Sequence, residues 1–324
     1  MILPGVKHLA HSGRWLRSRF IRGGLILAYH RISAVDWDPF SLSVSPEHFA
    51  EHLAVLRSHA SPLRLADLVQ SLDTGRIPYA ATALTFDDGY VDNLSVAKPL
   101  LVQHSVAATV FVATGHRGSE FWWDTLARLL APGQELPATV RIAVGERIHT
   151  WKSPPAGDVN GRRRLLFSIH SLMQPLSPPL IQPILHSLSA ALSPMSTPAP
   201  FSRALTTDEV TELARGDLVD IGAHGDTHSL LAQLPVASQQ SDIRQSKTVL
   251  ESLLGRPILG FAYPYGSVSP ATLNIVRGSG FAFACSSHTD VTSAGSNRFL
   301  LPRFWIPNWD GRRFLGWLMR WLKK

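Results

Sequence analysis

Apolar runs and helical patterns alternate along most of the chain. GGLILAYH (residues 23–30), ATALTF (81–86) and AATVFVAT (107–114) are short, continuously apolar runs, as expected of strands buried on both faces. LVDIGAH (218–224), ILGFAY (258–263) and FAFACSS (281–287) repeat that pattern. Between them lie segments of helical character. SPEHFAEHLAVLRSHA (45–60) has Ser45 as a cap, Pro46 at the first helical position, and Phe49, Leu53 and Leu56 on one face. NLSVAKPLLVQHSV (93–106), TTDEVTELARG (206–216), QSDIRQSKTVLESLLG (240–255) and PATLNIVRGSG (270–280) also read as helices, the second with Thr206 and Glu209 at capping-box spacing. Strands alternating with helices predict parallel βαβ units, closed as a barrel or laid out as a doubly wound sheet.

The rhythm breaks between about residues 117 and 203. That stretch opens with FWWDTLARLL (121–130), and its last part, Met173 to Pro200, holds seven of the chain's 23 prolines. It reads as an insertion with its own helices, either a lid over a site or a packing elaboration remote from one.

Placing the polar residues on these strands brings out the candidate chemistry. His30 ends the first strand, Asp87 and Asp88 the second, His224 the fourth and Tyr263 the fifth. In parallel α/β folds the carboxyl ends of the strands share one rim, where active sites form. Within ALTFDDGYVDN (83–93), two adjacent carboxylates repel unless a cation separates them or one is protonated. A divalent cation on one leaves the other free as a base, whereas the bland alternative is an Asp-Asp-Gly turn that caps the next helix. In IGAHGDTHSLL (221–231), His224 and His228 have metal-ligand spacing. Gly225 stands where a zincin helix would need glutamate, so the pair belongs on a loop. One carboxylate with two imidazoles is a sensible catalytic zinc set. In RPILGFAYPYGS (256–267), Pro264 and Gly266 make a tight turn that exposes backbone N–H groups near the rim, where they could hold an oxyanion.

Taken together, TFDDG (85–89), the two histidines at 224 and 228, and FAYPYG (261–266) resemble the signature of polysaccharide deacetylases, the NodB-homology or carbohydrate esterase family 4 domain. AYHRI (28–32) and SVSPEHFAEHL (43–53) are similar to the opening of exopolysaccharide-modifying members. The resemblance covers most of residues 24–307. It implies an α/β fold, a distorted (β/α) barrel of the NodB type with a helical insertion. It also implies a divalent metal, usually zinc, on Asp88, His224 and His228. Asp87 would then be the general base, and a backbone N–H near Tyr263, Pro264 and Tyr265 would face the oxyanion. The substrate implied is an N-acetylated glycan. A catalytically inactive carbohydrate-binding descendant, or a deacylase for O-acetyl or formyl groups, is the alternative. Two positions depart from the family pattern: Ala262 stands where many members carry the arginine that orients the base, and no Leu-x-His motif supplies a general acid. His30 is the expected acid, with His288 as the alternative.

Charge separates the ends from the body. Residues 1–23 carry five basic residues and no acid, and so do residues 311–324; taking these ten from the net charge of +7 leaves residues 24–310 at −3. A nucleic-acid groove spread over the fold is not expected. The segment DGRRFLGWLMRWLKK (310–324) places Phe314, Trp317, Leu318, Trp321 and Leu322 on one helical face. That face suits either an anionic membrane surface, shared with residues 14–23, or docking on the barrel. Three parts are expected: a basic arm (1–23), the deacetylase domain (24–307) and a basic amphipathic helix (308–324). With no signal peptide or spanning segment read and a single cysteine, Cys285, a cytoplasmic enzyme is expected, peripheral on the inner face of the membrane.

Overall fold

A computed structural model describes residues 23–192 and 202–322. The basic arm therefore lies outside the described residues, apart from Gly23, as do 193–201 of the insertion and the final two lysines.

Six of the apolar runs become parallel strands. They are β1 (Gly23–Tyr29), β2 (Ala81–Phe86), β3 (Ala108–Val112), then, after the insertion, β6 (Val219–Ala223), β7 (Gly260–Ala262) and β8 (Phe283–Cys285). Their spatial order is β8-β7-β6-β3-β2-β1. Every residue of β2 and all but the first of β1 are buried, which is why these strands read as unbroken apolar runs rather than alternating ones. A further strand, β9 (Phe304–Trp305), runs parallel to β1 on the side away from β2. The chain leading into it, from Arg298 onward, bonds to β8 through Ala284 N–H to Arg298 O (2.8 Å), Leu301 N–H to Ala284 O (2.9 Å) and Ser286 N–H to Leu301 O (2.8 Å). That segment bridges the two ends of the sheet, so the strand ends form one curved rim. This is the distorted barrel expected from the resemblance.

The helices cover the outside. In α1 (Pro46–His59) the Ser45 side chain accepts from His48 N–H, and Phe49, Leu53 and Leu56 are buried, as their spacing predicts. Helix α2 is Leu65–Thr74, and α3 is Lys98–His104, preceded by a wide turn over Asn93–Ala97. The capping box of Thr206 and Glu209 opens α7 (Thr207–Leu213). Two longer helices, α8 (Val236–Leu254) and α9 (Pro270–Gly278), complete the second half.

The insertion has its own apolar core. It comprises α4 (Trp122–Leu129), a hairpin β4 (Thr139–Val144) and β5 (Arg147–Lys152), and helices α5 (Val159–Met173) and α6 (Pro178–Ala191). Trp122, Trp123, Leu126, Leu166, Ile169, Met173 and Leu185 pack together there, with Tyr90 of the barrel. Sequence reasoning expected helices alone. The hairpin was announced by alternation, since in β4 Val140 and Ile142 are buried between exposed neighbours.

The last helix, α10 (Gly311–Trp321), docks on the barrel, one of the two placements expected for its apolar face. Phe314 stacks on His52 with ring centroids 4.2 Å apart, Trp321 lies 4.6 Å from Phe304, and Phe314 and Leu318 are fully buried. The apolar face is thus covered by α1 and β9, leaving Arg312, Arg313 and Arg320 on the exposed side. Among the described residues no helix is long and apolar enough to cross a membrane.

Candidate active site

At the carboxyl rim the chain must turn sharply away from β2. Asp88 (φ 72°) and Gly89 (φ 78°) do this as consecutive left-handed residues, which swings both carboxylates into the rim. A left-handed aspartate is strained, and such strain concentrates at functional sites. His228 (φ 53°) and Tyr265 (φ 55°) share that conformation, so three of the six non-glycine residues with positive φ among those described stand around one cavity.

Asp88, His224 and His228 are all buried, with one potential ligand atom from each lying within 4.8 Å of the others. Asp88 Oδ1 is 3.4 Å from His224 Nε2 and 3.1 Å from His228 Nε2. His224 follows β6 directly, and its Nδ1 donates to the Ala262 carbonyl at 2.8 Å, which leaves Nε2 with its lone pair toward Asp88. Burial opposes charge on the Asp88 carboxyl, but His228 and His224 outweigh it and hold the group well below the usual carboxylate range. Burial also lowers the His228 imidazole, favouring the neutral form that ligates.

Asp87 takes a different partner. Its two oxygens accept from Arg303 Nη1 and Nη2, both at 2.7 Å, a bidentate pair in which the two side chains are only 7% and 4% exposed. Arg303 is itself fixed by Ser286 O (3.1 Å from Nε) and Thr85 Oγ1 (3.1 Å from Nη1). Burial would raise the Asp87 carboxyl; Arg303, with His224 and His30, outweighs that and leaves it ionised. Sequence reasoning found Ala262 in the place of the orienting arginine and missed Arg303, which arrives 216 residues away on the segment that closes the barrel. A charged residue inside FLLPRFWIP (299–307) was the available signal.

The cavity beside these groups has a volume of about 360 Å³. His30 lines it and packs on Trp305 at 4.6 Å between ring centroids. Tyr263 and Tyr265 line it too, but the Tyr263 amide is committed to Cys285 O (3.2 Å) and its hydroxyl to Phe299 O (2.9 Å). Pro264 has no N–H, so of the three positions expected near the oxyanion the amide left within this turn is that of Tyr265. His288, the alternative acid, is exposed and does not line the cavity; only its backbone approaches, accepting from Arg303 N–H at 2.8 Å. The insertion supplies part of the wall, with Trp123, His170 and Gln174. Of its two possible roles, lid or remote elaboration, the remote one is excluded. Trp123 also packs on the His228 ring at 4.6 Å.

The chain matches the sequence pattern of the family described as polysaccharide deacetylase, over residues 76–139 and 195–284, two blocks that flank most of the insertion. No curated protein matches it by sequence. Among solved structures it is similar to the Streptococcus pyogenes deacetylase PplD in complex with acetate (18% identity, TM-score 0.60, covering 91% of this chain and 98% of that one). It is also similar to IcaB from Ammonifex degensii (18%, 0.59, 91% and 97%) and to a de-N-acetylase from Aggregatibacter actinomycetemcomitans (16%, 0.58, 92% and 100%). At these identities the likenesses establish the fold.

Proposed function

The chain belongs to the polysaccharide deacetylase family, and from that premise we propose that it removes N-acetyl groups from a glycan at the cavity between Asp87, His30 and the Asp88–His224–His228 cluster. The observation that carries this reading is the division of labour between neighbouring aspartates. Asp88 lies against two imidazoles, whereas Asp87 is gripped by an arginine that keeps it charged and oriented.

Asp88, His224 and His228 would hold a divalent cation. The donor set fits zinc, with a carboxylate oxygen and two imidazole nitrogens, one of them with its tautomer fixed by Ala262. When bound, such a cation polarises the acyl oxygen and acidifies water. The chain's own groups supply the remainder. Asp87, with lone pairs left on both oxygens beyond the two Arg303 bonds, accepts the proton of the attacking water. The Tyr265 N–H donates to the oxygen that becomes negative as the carbonyl carbon turns tetrahedral. His30, held against Trp305, donates a proton to the departing amine. Trp305, 47% exposed, and Trp123 give the sugar two aromatic surfaces. His170 and Gln174 reach it from the insertion.

Arg303 also supplies the orienting group whose absence beside Tyr263 was one of the two grounds for reading the protein as an inactive binding descendant, the other being the missing Leu-x-His motif. Acetate release from chitooligosaccharides and from poly-N-acetylglucosamine, in zinc-supplemented buffer, tests the proposal. Release by the native protein, reduced about 10²–10⁴-fold in Asp87→Asn, is expected; release unaffected by that substitution would remove Asp87 from the mechanism.

A further inference from the structure

The two histidines of the cluster are fixed in different ways. His224 is held through its ring, by the Nδ1 bond to Ala262. His228 has no such bond, because its Nδ1 is buried and has no partner. Where its imidazole points is therefore set by the backbone of residues 225–228, which carries it in a left-handed conformation, and by packing against Trp123 and Tyr265. A strained loop keeps such a geometry only if something outside it over-determines the backbone.

That something is Asp242, a carboxylate on α8 that is 6% exposed. Its Oδ1 accepts from Asp226 N–H at 2.9 Å, and its Oδ2 accepts from Thr227 N–H at 2.9 Å and from Thr227 Oγ1 at 2.6 Å. Three donors from two consecutive residues, ending one residue before His228, meet one side chain. The other side of the loop is tied to the end of β3. Thr114 N–H donates to Gly225 O (3.2 Å), Gly115 N–H to Asp226 O (2.8 Å) and Thr114 Oγ1 to Asp226 Oδ1 (2.6 Å). Both contacts are too close for side chains. A Cβ on Gly225 would lie 2.6 Å from Asp242 Oδ1, and one on Gly115 would lie 2.5 Å from Asp226 O.

We propose that Asp242 is a positioning residue for the metal site: it does for His228, through the loop, what the Ala262 carbonyl does for His224 through the ring. The proposal rests on the reading of Asp88, His224 and His228 as metal ligands. An amide in place of the carboxylate turns an NH₂ toward backbone donors and releases the loop. Outer partners of this kind are worth about 10–100-fold in metal affinity.

The test uses full-length protein stripped of metal, with zinc affinity measured by competition against a chromophoric chelator and the site geometry read from the visible spectrum of the cobalt(II) form. Asp242→Asn is expected to bind zinc about 10–100-fold more weakly and to shift the cobalt bands, while the metal-free protein still unfolds cooperatively. Thr227→Val, which deletes one of the three donors, is expected to fall between the two, and it decides the matter if Asp242→Asn does not fold. Native zinc affinity and an unchanged cobalt spectrum in these variants would overturn the role of Asp242 and leave the metal site standing. A native protein that binds neither metal, like His224→Ala, would overturn both.

Discussion

Arg303 and Arg31 are both buried against carboxylates, and they treat them in opposite ways. Arg303 faces Asp87 alone, with both Nη atoms at 2.7 Å. Arg31 lies between two acids at longer reach, 3.3 Å from Asp92 Oδ2 and 3.7 Å from Asp124 Oδ1, with its guanidinium over the Tyr90 ring. Burial raises all three carboxyls. In the one-to-one pair the arginine, helped by His224 and His30, wins, and Asp87 stays below its ordinary value. In the shared pair burial wins, and Asp92 rises to about 6 and Asp124 to about 7. Burial is alike at the two places, so the neighbouring charges decide whether an acid is kept as a base or left near half-titration: Arg303 with two histidines at Asp87, a shared Arg31 with the like charges of Glu120 and Asp88 at Asp124. The first arrangement suits catalysis. The second is a joint: Asp124, on the insertion, accepts from Tyr90 Oη at 2.6 Å, and Tyr90 Oη accepts from Trp123 Nε1 at 2.8 Å, which ties the cavity wall to the barrel.

The comparison can be broken most forcefully at Arg303. Arg303→Met leaves a buried carboxylate without its partner and is expected to cost about 3–5 kcal/mol of stability, together with activity. Arg303→Lys keeps the charge but loses the fork, so it should retain most of the stability while acetate release falls. Thermal unfolding and acetate assays on both variants separate orientation from charge. Arg31→Met is expected to destabilise as well, yet to lower turnover less, because no reacting group depends on Arg31 directly. Equal loss of turnover in the Arg31 and Arg303 variants, at equal stability, would erase the distinction.

The pH dependence sharpens it. A carboxyl whose folded value is raised binds protons more readily when folded, so Asp92 and Asp124 contribute stability that is full below pH about 4 and is lost as pH climbs toward 6 and 7. Asp87 has the opposite sign: its contribution is present above the ordinary carboxylate value and is lost as pH falls below it. Urea unfolding between pH 4 and 8 should show stability declining from pH about 4 to about 7 and levelling off above, and Asp124→Asn should flatten the decline. The smallest effect belongs to Gln174→Ala, on the insertion wall. It is expected to raise KM several-fold for a glycan with kcat nearly unchanged, since losing one uncharged hydrogen bond is worth about 1 kcal/mol.

How much of this was legible in the sequence follows from how local each feature is. Asp87, Asp88 and His224 were found because each directly follows an apolar run, and parallel strands deliver their ends to one rim. His228 was found because it lies four residues from His224. Arg303 was hidden for the complementary reason: a guanidinium on a long stem can reach a carboxylate from any strand, and here it comes from the closing segment rather than from the position beside Tyr263. The Asp242 carboxylate gave no signal either, since an aspartate on a helix looks like solvated surface until the loop packed over it is known. The α10 face illustrates a different limit. Periodicity tells that Phe314, Leu318 and Trp321 must be covered, not whether lipid or Phe304 and His52 cover them. In the insertion, alternation in TVRIAV (139–144) carried a strand signal that the surrounding helices and prolines masked.

The central claim, that one aspartate holds a cation while its neighbour works beside it, is tested most directly by metal content. Native protein and His224→Ala, each loaded with zinc and freed of excess, would be compared by elemental analysis. About one zinc per chain in the native protein and close to none in the variant is the predicted result. No metal in either, or equal metal in both, would contradict the assignment of Asp88, His224 and His228 and the chemistry built on it.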